Sequence, residues 1–404
     1  MWISLLALTI CLLGLCADYA RSGFLIILNP FSWMLLLFLF YFSMPSVFSE
    51  QINFYYDWGI DTDDMLYARL LVLCMSIFFA LLLCVFNSKN LSLREEVQTR
   101  QPIFLLLIFF LVLAYLLWVL NIKLNGGIFE TAFLYDAEQA KDPYKLKNVA
   151  YLLVPVSIYL YFHYRRLLVF LPNLLIVVLD MLHGSRTTAL ISLVPIIICL
   201  AYVNRRIYAF PMMVVFVLLI IIGIVRSDNV VQNVPWYINA IGEFRETYIA
   251  LPLFISNPDY VGNGNFLGYV SSLLVGLAQP IRAEILATFD FPGRVIAINV
   301  GRGYGLGSNF IIEPMYYGYS FLVFSNIVLV SFLIFIYRCL RRLNVSEALI
   351  LVSFFIIFIR LIVREGVSLN IGLFAFICIF YWLAIYFFST IRVGKPRIHC
   401  VRSN

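Results

Sequence analysis

The sequence predicts an all-α polytopic membrane protein, with about eleven transmembrane helices and one large outer loop. Three observations predict it. Of 404 residues, 63% are hydrophobic and only 12% are charged, against about 45–50% and about 25% in ordinary soluble proteins. The 37 Phe and 25 Tyr add aromatic bulk that no water-soluble fold could hide. Apolar runs close to the roughly 20 residues that cross a bilayer then recur along the chain. Together these exclude a soluble enzyme, a disordered chain and a nucleic-acid-binding domain.

In chain order the runs lie near 2–18, 30–48, 66–86, 102–121, 147–163, 167–182, 186–203, 210–226, 315–337, 345–363 and 370–390. The first is the weakest, being short and ending at Asp18. Its start, Met1-Trp2-Ile3-Ser4, lacks the basic segment and small-residue cleavage site of a signal peptide, so it reads as a span. Residues 1–226 therefore carry helices one to eight, and 315–404 carry helices nine to eleven with a tail. Between them, 227–314 form an outer loop too apolar for disorder. Within it, Phe266 to Gln279 is too short to span and suits an interfacial or re-entrant segment.

Orientation follows from Lys and Arg, which gather in short cytoplasmic loops. Placing the C-terminus inside collects Arg21, Lys89, Arg94, Arg165-Arg166, Arg205-Arg206, Arg338 and Arg341-Arg342 on that side. The long loop, the acidic stretch 49–65 and the turn at His183–Arg186 then face outward. The 8 cysteines show no Cys-x-x-Cys and no Cys/His cluster, which argues against disulfides and thiolate metal sites. No internal repeat is visible, and HExxH, GxSxG and Walker patterns are absent.

Ionisable groups at the rim of the hydrocarbon mark functional candidates, since an Arg at a helix centre costs roughly 2.5–3.5 kcal/mol. Arg360 and Arg364 are one turn apart, so they share a face of the tenth helix, with Glu365 adjoining. Two readings stand: snorkelling to lipid headgroups, or a phosphate or diphosphate site built on planar guanidinium forks. The turn His183-Gly184-Ser185-Arg186 offers a second cationic site at a helix start, with Asp180 one turn earlier. An Asp–His pair tying two helices is its structural alternative. Arg245, Arg282, Arg294 and Arg302 punctuate the long loop among carboxylates. Glu313 is either a general base or a carboxylate favoured by a helix dipole. Asp61, Asp63 and Asp64 fit a helix cap and first turn, with a divalent-cation site as the other reading.

The topology, the Gly-Ser-Arg turn and the run Gly-Leu-Gly-Ser-Asn-Phe-Ile-Ile-Glu-Pro-Met-Tyr-Tyr-Gly-Tyr resemble bacterial oligosaccharide repeat-unit polymerases, the Wzy-type O-antigen and capsule polymerases. Arg282 to Gly293 and Arg294 to Gly305 match an Arg-x10-Gly pattern described in some members. The resemblance implies a metal-independent, cofactor-free glycosyltransferase of the GT-C type in the bacterial cytoplasmic (inner) membrane, its active site facing the periplasm. Its partners would be undecaprenyl-diphosphate-linked oligosaccharide donor and acceptor, membrane lipids and a chain-length regulator, with no nucleic acid. Arg186, Arg360 and Arg364 would clamp the diphosphate. His183, ranked first, Glu313 and Glu365 would be the candidate bases, and the loop arginines would handle substrate. An O-antigen ligase using the same donor and a lipid-linked oligosaccharide flippase are the alternative readings.

Overall fold

The computed structural model describes residues 1–91, 93–94, 103–126, 144–182, 187–207, 217, 234–262, 264, 266–275, 309–367 and 370–379. Among these there is no strand, only a single bridge between Arg94 and Asn344. Helix dominates the rest: an all-α membrane protein. Six helical stretches are long and apolar enough to cross a membrane: Trp2–Leu28, Pro30–Val47, Thr62–Asn90, Phe104–Asn125, Tyr319–Leu340 and Val345–Glu365.

The first helix, α1 (Trp2–Ser22), runs past Asp18 rather than ending there. Asp18 is tolerated because it is buried and fully engaged. One carboxylate oxygen accepts the Ser88 backbone N–H at 2.9 Å. The other accepts the Ser32 hydroxyl at 3.0 Å and the Ser88 hydroxyl. Asn29 completes the knot: it caps the next helix through the Phe31 N–H and donates to the Phe86 carbonyl at 2.8 Å.

The second span is broken into α2 (Pro30–Phe38), a π-helical turn (Leu39–Ser43) and α3 (Met44–Val47). Pro45 has no N–H to give to the carbonyl of Tyr41 four residues back, so the α ladder is interrupted there. Such π turns concentrate at functional sites. A short helix α4 (Ser49–Tyr56) precedes α5 (Thr62–Val85). Asp61 occupies the N-cap position in extended conformation, and Asp63 and Asp64 fall in the first turn, where the dipole favours them. Among the described residues no three His, Cys, Asp or Glu converge in a group that could hold a metal.

Next come α6 (Ile103–Asn125), α7 (Leu146–Tyr164), α8 (Leu171–Leu182) and α9 (Thr187–Val203). The described parts of α8 and α9, both expected as spans, have 12 and 17 residues and flank 183–186, which lie outside the described residues. A 3-10 turn, Leu167–Phe170, leads from the Arg165-Arg166 corner into α8. The expected helix at 210–226 lies outside the described residues.

The long insertion contains α10 (Trp236–Ile241), α11 (Glu243–Ile255) and α12 (Phe266–Val275). Its helix α11 is packed into the bundle. Tyr248, Ile249, Ala250, Leu251 and Phe254 of α11 are buried, and α11 packs on α3, α4, α5 and the π turn. A five-residue helix, α13 (Ile312–Tyr316), is separated by Gly318 from α14 (Tyr319–Leu340). The ninth expected span thus begins at 319, not 315.

Then α15 (Val345–Glu365) starts with a full capping box between Asn344 and Glu347. It is the most buried of the six spans, packing against α2, α7, α9 and α14. A further helix, α16, is described over Asn370–Ile379, and residues 380–390 of the expected eleventh span lie outside the described residues. By contrast α6 turns Phe110, Leu111 and Trp118 outward, and α14 turns Val323, Ile327 and Phe335 outward. That exposed apolar belt suits lipid and would be costly in water.

Candidate functional site

The site assembles where α15 ends. Along this helix residues 352 to 363 are buried except Arg360, and Arg364 follows on the same stripe, both half-buried. Their spacing of four is a helical turn, so two like charges share one face of the most enclosed helix. Arg360 Nε donates to the Tyr41 hydroxyl at 3.0 Å. Tyr41 is in the π turn and meets Phe244 edge-to-face, with ring centroids 4.7 Å apart. The Tyr151 ring of α7 stacks on Phe358 at 6.1 Å. Its buried hydroxyl has no hydrogen-bond partner among the described residues and lies in the field of both Arg360 and Glu365. Arg364 Nη1 stands 3.9 Å from Glu365 Oε1, with side-chain exposures of 33% and 41%.

Glu313 closes the floor. The Asn309 side chain caps α13 by accepting from the Ile311 and Ile312 N–H groups at 3.1 and 3.0 Å. It also donates to the Thr247 carbonyl of α11. That fixes Glu313, whose carboxylate accepts the N–H of Val367 just beyond α15. Gly366 makes room: its φ is +112°, and a Cβ there would sit 2.6 Å from the Glu313 carboxyl. Asn370 Nδ2 donates to the Gly366 carbonyl at 2.8 Å, securing the turn from the other side. Burial first, then the neighbouring Glu313 carboxylate, pushes the Tyr269 hydroxyl up to about 12. Tyr269 is therefore neutral at any physiological pH.

Two further arginines at this end are locked. Arg245 stacks over the Tyr56 ring at 4.0 Å and donates to the Tyr56 hydroxyl and, at 3.4 Å, to the Ile238 carbonyl. A 3.5 Å approach to Glu246 completes its surroundings. It binds α11 to α4 and α10, so the loop cation expected to meet substrate is instead 7% exposed. Arg69, equally buried, donates through Nε to Ser49 at 2.9 Å and pairs with Glu50 at 2.9 Å. The Arg69 hydrogen bond, then its charge, holds the Glu50 carboxyl below the usual range.

Of the expected site residues, the structure thus brings Arg360, Arg364, Glu365 and Glu313 to one end of α15, and places Arg245 nearby in a closed setting. His183, Arg186, Arg282, Arg294 and Arg302 lie outside the described residues, as do residues 301–308 of the Gly-rich run. Asp180 is buried in α8. Sequence reasoning missed Tyr41 and Tyr151. The signal for Tyr41 was Pro45 inside an apolar run, which announces an irregular turn just before it. Comparison with protein-family models, curated proteins and solved structures gives no match.

Proposed function

We propose that the chain is a membrane glycosyltransferase that joins undecaprenyl-diphosphate-linked oligosaccharide repeat units into a surface polysaccharide. It would be a GT-C-like, eleven-span enzyme of the bacterial cytoplasmic membrane, with the Arg360 end of the bundle facing outward. The observation that carries this reading is the Arg360–Arg364 stripe. Two half-buried guanidiniums share a face of the most enclosed helix, beside tyrosines and a carboxylate.

In this reaction the acceptor hydroxyl oxygen attacks the anomeric carbon of the donor, and the glycosyl–phosphate C–O bond breaks. The bonding pair leaves on the diphosphate, whose growing charge Arg360 and Arg364 stabilise without reorganising. A base takes the hydroxyl proton. Between the described carboxylates, Glu365 suits that role better, being 41% exposed. Glu313 is buried with one oxygen committed to the Val367 N–H, and suits holding the floor. The packed insertion would exclude water, so that transfer outruns hydrolysis.

The test is the glycan-length profile of the host after gene deletion and after restoration with wild type, Arg360→Ala or Arg364→Ala, with membrane insertion verified. Single-repeat glycans in the deletion and both variants are expected. A normal ladder in the deletion overturns the proposal, and long polymer retained on the lipid carrier points to the ligase instead.

A further inference from the structure

We propose that the opposite end of the bundle carries a binding site for the phosphodiester headgroup of an anionic phospholipid. A cavity of about 410 Å³ opens there, lined by Phe24, Phe162, Tyr202, Val345 and the two arginines Arg165 and Arg205. That volume lies within the range of about 300–1,000 Å³ common to small-ligand sites. Among the described residues lining it there is no carboxylate. Glu347, two residues beyond Val345, is turned back onto the Asn344 N–H at 3.3 Å.

The cavity walls are built for a charged group with an apolar tail. Arg165 lies over the Phe162 ring at 4.8 Å, and Phe24 meets Tyr202 edge-to-face at 5.9 Å. Both arginines sit just past a helix end in the left-handed region, with φ of 55° and 50°. Gly or Asn would take that backbone with less strain, so arginine at both positions serves the side chain rather than the turn. Directly after Arg165-Arg166, Leu167, Leu168 and Leu171 are exposed, an apolar shelf on which acyl chains can lie beneath a headgroup held by the guanidiniums. A basic pocket between transmembrane helix ends is the arrangement that captures anionic headgroups. This proposal is independent of the glycosyltransferase reading.

The experiment measures retained phospholipid by native mass spectrometry on the full-length protein, exchanged into vesicles of phosphatidylglycerol or phosphatidylcholine, with inorganic phosphate as competitor. Wild type is expected to retain phosphatidylglycerol over phosphatidylcholine, undisturbed by phosphate. Arg165→Asn with Arg205→Asn keeps the left-handed turns and should bind about thirtyfold more weakly, the weight of two basic residues at an anionic surface. Arg165→Lys with Arg205→Lys should retain most binding, and Arg166→Asn with Arg206→Asn all of it. Equal retention of the two lipids, or equal loss in the Arg166/Arg206 variant, overturns the site as a diffuse basic surface. Displacement by phosphate overturns the lipid in favour of a soluble anion. If the double Asn variant does not fold, the single variants and the phosphatidylcholine comparison decide.

Discussion

The two ends of the bundle handle buried charge in opposite ways. At the Asp18 end one carboxylate is 2% exposed and receives three donors from α2 and the Ser88 turn. At the Arg360 end two cations of like sign stand a turn apart and keep part of their surface open. A buried charge matched by neutral donors is architecture, because removing it strands those donors. The two cations at the other end, one of them 3.9 Å from Glu365, are the pair that the proposed function would use to hold a diphosphate.

This contrast orders what substitution should do. The largest expected effect on stability is Asp18→Leu, which leaves the Ser88 N–H and two hydroxyls without their acceptor. A loss of about 3–5 kcal/mol is expected by chemical unfolding in detergent, and a loss under about 1 kcal/mol would break the comparison. Gly366→Ala comes next, at about 2–4 kcal/mol, since it combines a strained φ with a collision against Glu313. Adding Glu313→Ala should recover the collision part alone, as a measurable non-additivity. Arg360→Ala should cost about 1 kcal/mol for the Tyr41 hydrogen bond, and Arg364→Ala about 0.5 kcal/mol or less, while both abolish long polymer. Stability and activity thus separate at one end and move together at the other.

A further small effect concerns Glu50 and Arg69. The folded-state carboxyl is depressed, so its contribution is present above the ordinary value of 4.5 and lost as pH falls through the lower folded value. Because the Glu50 side chain is 66% exposed, solvent screening holds this to under about 1 kcal/mol. Unfolding followed from pH 5 downward should show the slope in wild type and not in Glu50→Gln.

Much of the helical plan was legible, because apolar runs and the hydrocarbon thickness answer to one length. Helices begin or end close to the expected places at 30, 146, 345 and 365. What the runs could not convey was contact across distance. Asp18 looked like the stop of a short span, because its donors at Ser32 and Ser88 are 14 and 70 residues away. Arg245 looked like a substrate cation, because Tyr56 lies 189 residues earlier. The Arg360–Arg364 stripe needed only local spacing to be seen, whereas Tyr41, 319 residues from Arg360, became visible only once the π turn placed it.

The depth of α15 also bears on how the protein is made. Its neighbours α2, α7 and α9 all leave the ribosome earlier, and at about 5–20 residues per second α15 follows α1 by tens of seconds. Throughout that interval the nascent bundle must keep a slot open, lined by apolar faces and by Tyr41, with lipid or an insertion factor filling it. A late step of assembly therefore seats the arginine stripe, and a chain that stalls before α15 would be left with an unfilled core.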